Sequence, residues 1–146
     1  MKDTLISTLI SRLSDTERRR ARQFLASPYH NRREDVRRLF DLLEEYSHHL
    51  QVEPEREAVY KKIYGEGAYD DQQLRLLSSY LLRALEIFLR LEELSGRPNE
   101  EDTLLLAAYR RRGLDRHFQK TLRRARKQLD RRPLRHPEYH YASFQL

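Results

Sequence analysis

The sequence predicts an all-α fold, and three observations carry that expectation. Leucines outnumber the β-branched residues Val, Ile and Thr by 25 to 12, a composition that disfavours a sheet. The four glycines (Gly65, Gly67, Gly96, Gly113) and five prolines (Pro28, Pro54, Pro98, Pro133, Pro137) all fall where the apolar period pauses. Inside a helix they would cost about 1 and about 3 kcal/mol each. Between those breaks, apolar residues recur at helical spacing. The expected architecture is a bundle of seven to eight helices around a long central helix, 71–95, with a tetratricopeptide-like antiparallel hairpin at the C-terminal end. A chain of 146 residues suits one domain. Within it, 1–98 reads as the bundle, 99–132 as the hairpin and 133–146 as the start of a further helix.

The first helix covers 3–13, with Leu5, Ile6, Leu9, Ile10 and Leu13 on one stripe. The second opens at Ser14-Asp15-Thr16-Glu17, a capping box in which Ser14 and Glu17 each satisfy a backbone N–H. It ends before Pro28, which disfavours helical geometry at Ser27. The third covers 33–50 and places Val36, Leu39, Phe40, Leu43, Tyr46 and Leu50 on its apolar face. The fourth has Pro54 in its first turn and ends at Gly65. Asp70 and Gln73 form a further N-cap pair.

The fifth helix, 71–95, organises the expectation for the rest. Its polar residues Gln72, Arg75, Ser79, Arg83, Glu86, Arg90 and Glu93 follow one narrow line. Nearly everything else on it is apolar, so it is expected to be covered on most sides. Ser78 and Ser79 interrupt it, either to allow close helix approach or to bond back to the preceding turn. Gly96 closes it and Arg97-Pro98-Asn99 turns the chain. The sixth and seventh helices, 100–112 and 115–131, join at Gly113 in a hairpin. With its turn the pair spans about 34 residues, the tetratricopeptide period. Tyr109, Phe118, Leu122 and Ala125 fall near that repeat's aromatic and small positions, although a small residue is expected where Phe118 lies. Beyond Pro133, Pro137 opens a further helix through Tyr139, Ala142 and Phe144.

Two segments carry a resemblance. SPYHN (27–31) and YDDQQLRLLSSYLLRALEIFL (69–89) are similar to segments of an uncharacterised family of bacterial helical proteins. Its members have a Phe-Leu-x-Ser-Pro-Tyr-x-Asn stretch near the N-terminus and a Tyr-Asn/Asp-Asp stretch leading into Leu-Arg and Ser-x-Leu-Leu downstream. The resemblance implies that this chain is the N-terminal portion of a longer protein continuing as helical hairpins. It implies no activity.

Composition excludes several chemistries. Without cysteine there is no disulfide, thiolate metal site or cysteine nucleophile. MKDTLISTLISRLSD lacks a continuous apolar stretch and a small-residue cleavage site, and no apolar run approaches about 18 residues. The expected location is the cytoplasm. No P-loop, G-x-S-x-G elbow or H-E-x-x-H motif is present, and GEG at 65–67 is not a dinucleotide fingerprint. The chain is therefore expected to be non-enzymatic, with no catalytic residue and no cofactor. His136 and His140 share an i, i+4 spacing, but Glu138 points to another face, and no metal site is expected. His117 reads as a packing residue.

The net charge of +6 is unevenly spread. Residues 1–38 carry 10 Lys/Arg against 5 Asp/Glu, residues 39–100 carry 7 against 13, and residues 101–146 carry 12 against 5. Two basic ends thus flank an acidic middle. On the seventh helix Leu114, Phe118, Leu122, Ala125 and Leu129 form the expected core stripe. Arg116, Lys120, Arg123, Lys127 and Arg131 run opposite at spacings of 4, 3, 4 and 4, widened by Arg124 and Arg126. Such a line is about 22 Å long, enough to meet several phosphates. A second basic cluster, Arg18, Arg19, Arg20, Arg22, Arg32, Arg33, Arg37 and Arg38, lies on helices two and three. Tyr29, His30 and Asn31 are either a recognition loop or the corner between helices, with Tyr29 folded over the core and Asn31 capping helix three. The corner is the simpler reading, because Pro, Ser and Asn each have a turn mechanism. The leading expectation is a protein-interaction or adaptor domain that binds a protein partner or itself. The alternative is a nucleic-acid-binding domain using the arginine-rich faces. No small-molecule substrate and no membrane partner is expected.

Overall fold

The computed structural model describes residues 4–131. Among them the fold is all-α, with no strand. The helices are α1 (Leu5–Ser11), α2 (Asp15–Ala26), α3 (Glu34–Glu44), α4 (Arg56–Tyr64), α5 (Asp71–Ser95), α6 (Pro98–Arg111) and α7 (Asp115–Asp130), with a π-helical stretch, Glu45–Leu50, continuing α3. The chain forms two compact units that divide between Leu89 and Arg90. The further helix expected after Pro133 lies outside the described residues.

Local chemistry accounts for the helix ends of the first unit. Ser14 Oγ accepts from Glu17 N at 3.2 Å, and Glu17 Oε1 accepts from Ser14 N at 2.9 Å, completing the expected capping box. Asp70 Oδ1 accepts from Gln73 N at 3.1 Å at the entrance to α5. Gly65, at φ 85°, ends α4 with its N–H on Lys61 O. Pro54 lies one residue ahead of the N-cap Glu55 rather than within the first turn of α4. The 33–50 helix also departs from expectation, because regular α geometry stops at Glu44. The π stretch that follows ends at Gln51, a non-glycine residue at φ 54°. In it the His48 Nε2–H donates to Ile10 O at 2.9 Å, tying the stretch to α1.

The core gathers Ile6, Ile10, Leu13, Ala21, Leu25, Val36, Leu39, Phe40, Leu43, Val59, Tyr60 and Ile63 with the α5 residues Leu74, Leu77, Leu81, Leu85 and Phe88. Leu5 is not part of it. At 76% exposure it stands outside the α1 stripe that the spacing implied. Helices α1, α2 and α4 all pack on α3, which makes α3 the hub of this unit. α5 contributes one seam, at spacings of 3, 4, 4 and 3, and is not covered on most sides. Leu76 is 51% exposed and Ile87 39%. Leucine is among the best helix formers as well as a core residue, so its abundance overstated how much of α5 is buried. The Ser78 hydroxyl is buried without a hydrogen-bond partner, so it makes no bond back to the preceding turn.

In the second unit Pro98 sits at the first position of α6, so residues assigned to a turn already belong to the helix. α6 ends in a Schellman motif: Gly113 N donates to Arg110 O at 3.1 Å and Leu114 N to Tyr109 O at 3.0 Å. Gly113, at φ 68°, supplies the left-handed residue this motif needs. Asp102 faces Arg124, Tyr109 faces His117 and Arg110 faces Phe118. From Asp102 to Tyr109 the chain advances seven positions while the facing residue falls back seven, from Arg124 to His117, so α6 and α7 run antiparallel.

The seam makes a direct prediction. Leu81→Ala is expected to cost about 3 kcal/mol of unfolding free energy, and Leu76→Ala no more than about 0.5 kcal/mol, in urea titrations. Equal losses would mean that α5 is buried on both faces.

Candidate interaction surface

The two basic clusters have different fates. In the first unit most arginines of the cluster are bound to partners within the fold, whereas the exposed Arg19 has no ion pair or hydrogen-bonded side-chain partner among the described residues. Glu44 is 7% exposed. It ion-pairs with Arg22, and Arg18 Nε lies 3.4 Å from its other oxygen. Arg18 also pairs with Asp15, donates to Leu13 O at 3.1 Å and meets His48 Nδ1 at 3.1 Å. Since the other ring nitrogen donates to Ile10 O, Nδ1 is the acceptor of the Arg18 N–H. Arg33 grips Asp35 through two bonds of 3.0 and 2.8 Å and lies 4.6 Å over the Tyr80 ring. Arg37 pairs with Glu34 at 3.2 Å, Arg38 donates to Ile63 O at 3.3 Å, and Arg32 donates to Pro28 O at 3.3 Å.

The SPYHN segment is the corner between α2 and α3. His30 N and Asn31 N both donate to Ser27 O, at 3.0 and 2.9 Å. Asn31 does not cap α3, whose N-cap is Arg33 without a side-chain bond. Instead its amide nitrogen donates to Leu25 O at 2.9 Å and Arg33 O at 3.0 Å, while its oxygen accepts from Arg33 N at 3.2 Å. It thereby holds the end of α2 to the start of α3. His30 stacks on Phe24 with ring centroids 4.2 Å apart. Tyr29 is 90% exposed rather than folded over the core.

On α7 the pattern reverses. Thr121, Ala125 and Leu129 are buried, and Phe118 and Leu122 half-buried. Leu114 is the exposed N-cap rather than the start of the core stripe, and Thr121 takes a core position that its polarity concealed. Arg116, Lys120, Arg123, Lys127 and Arg131 are exposed and have no ion pair or hydrogen-bonded side-chain partner among the described residues. Arg124 leaves this set, because it donates to the buried Asp102 on α6 at 2.8 Å. Around the N-terminal half of the line an open recess is edged by Arg116, His117, Gln119, Lys120 and Arg123, with Asp115 at its end. His117 lies 5.4 Å from the Tyr109 ring.

No group of three or more His, Asp or Glu able to hold a metal ion occurs among the described residues, and His136 and His140 lie outside them. No helix of the described residues is long and apolar enough to cross a membrane. No family model matches the chain, nor does any curated protein or solved structure.

The Arg33–Asp35–Tyr64 network sets a pH response. The Arg33 hydrogen bond, aided by Tyr64, holds the Asp35 carboxyl below its ordinary value against the opposing effect of burial. Burial first, and the Asp35 hydrogen bond second, push the Tyr64 hydroxyl up to about 12. Because the folded carboxyl is the stronger acid, Asp35 stabilises the fold above the unfolded value near 3.9, and that contribution is lost as pH falls through the lower folded value. Because folded Tyr64 holds its proton longer, stability is lost as pH rises from about 10 to about 12. Chemical denaturation across pH should show a shallower acid limb for Asp35→Asn and a shallower alkaline limb for Tyr64→Phe.

Proposed function

We propose that the chain is a non-enzymatic interaction domain whose α6–α7 hairpin, tetratricopeptide-like in length and pairing, docks a protein partner or a further hairpin. One observation carries this reading: the hairpin has a thin core. Its buried residues are Leu106, Ala125 and Leu129 with the polar Asn99, Asp102 and Thr121, while Leu104 is left 57% exposed. A helical hairpin of this kind does not bury its apolar surface alone and gains stability by stacking on a neighbour. The resemblance of SPYHN and YDDQQLRLLSSYLL to a family that continues as hairpins is in keeping with this role, as is a location in the cytoplasm.

The test uses tagged wild-type chain and Leu104→Glu in native lysate, with sedimentation of the purified chain at micromolar concentration. A partner or self-association present in wild type and weakened at least tenfold by Leu104→Glu is the expected result. Absence of both in wild type, or binding indifferent to Leu104, would sink the proposal.

A second reading, a nucleic-acid-binding domain, is favoured by one specific observation: the cationic line on α7 has no ion pair or hydrogen-bonded side-chain partner among the described residues.

A further inference from the structure

The α7 line is costly to the helix that carries it. Arg116 and Lys120, Arg123 and Lys127, and Lys127 and Arg131 are like charges at i, i+4. Such pairs destabilise an isolated helix by roughly 0.2–0.5 kcal/mol each. Several other arginines are relieved by acids: Glu44 serves Arg18 and Arg22, Asp35 serves Arg33, Glu34 serves Arg37, and Asp102 serves Arg124. Asp115 and Asp130, the acids of α7 itself, make no ion pair among the described residues. Among the described residues nothing offsets the charge on this face, which leaves it open to a counter-charge from a ligand.

The make-up of the face decides between polyanions. Folded protein partners are held by apolar and aromatic anchors at the centre of an interface. Between Arg116 and Arg131 the strip presents none, because Phe118, Ala125 and Leu129 turn toward the hairpin's core. Exposed carboxylate pairs alone contribute about 0–1 kcal/mol each. A duplex backbone is different, because bound cations release its condensed counterions and binding proceeds from charge alone. No exposed Phe, Tyr or Trp lies along the strip to stack unpaired bases, His117 being its one exposed ring, which disfavours a single-strand platform.

We infer that Arg116, Lys120, Arg123 and Lys127, extended by Arg131, form a strip that docks on the phosphate backbone of a nucleic-acid duplex without reading its sequence, and that the acid-paired arginines of α2 and α3 take no part. This rests on the second reading above and gives it a ligand class and a stoichiometry. With about four phosphates neutralised, log K should fall against log salt with a slope of about −3.6, or roughly 50-fold for a threefold rise in salt.

Fluorescence anisotropy of the full chain tests this with two unrelated duplexes of about 20 bp, a single strand of the same length, and polyglutamate, between ~0.1 and ~0.3 M salt. The expected result is equal affinity for both duplexes, weaker binding of the single strand and polyglutamate, and the stated slope. Lys120→Glu with Arg123→Glu should abolish binding, with helicity checked by circular dichroism. Arg37→Gln, which removes an exposed partner of Glu34, should leave affinity within twofold. A sequence preference, a slope shallower than −2, or equal loss in Arg37→Gln overturns the inference and leaves nucleic-acid binding standing. Polyglutamate bound as tightly as duplex makes an acidic protein segment the partner and overturns it. No binding to any nucleic acid at low salt overturns both the inference and the reading beneath it.

Discussion

The first unit depends on keeping one seam dry. Leu74, Leu77, Leu81, Leu85 and Phe88 bring one line of α5 into a core built on α3, where Val36, Leu39, Phe40 and Leu43 wait. Apolar burial of this kind is the main favourable contribution to folding, at about 25 cal/mol per Å². It also dictates what happens to charge at its edge. Glu44 follows Leu43 on the buried side of α3, and an unpaired carboxylate there would carry a heavy desolvation penalty. Arg18 and Arg22 on α2 supply the compensation.

That requirement explains much of the N-terminal arginine cluster. Arg33 ties the start of α3 to Asp35 and, through Tyr64 bound to the same carboxylate at 2.8 Å, to α4. Asn31 spans the corner without capping a helix. These polar contacts orient the helices that the leucine seam holds together. Their charge is therefore only partly available to a ligand, even though several of the guanidinium groups are exposed.

The hairpin follows other rules. Its buried set mixes Leu106, Ala125 and Leu129 with Asn99, Asp102 and Thr121, and Asp102 takes up a single arginine from α7. The remaining cations of α7 make no ion pair with the acids of α6 among the described residues. The same residue type thus serves as a strut where packing brings an acid within reach, as at Arg22 and Arg124, and as surface charge where it does not, as along the rest of α7.

The helical class, the Ser14 and Asp70 caps, the exit at Pro28, the stop at Gly65 and the Gly113 hairpin were legible in the sequence. Each depends on residues within about five positions of one another, a range over which spacing is geometry. The opposite basic line of α7 was legible for the same reason, since helical periodicity alone sets it. Tertiary structure decided that Leu5 and Leu76 face outward, that regular geometry gives way to a π stretch after Glu44, and that α3 rather than α5 is the hub. It also decided which arginines are partnered. Arg22 reaches Glu44 across 22 positions, and Arg124 reaches Asp102 across the same interval. A pairing at that range is fixed by how helices pack, which local pattern does not encode.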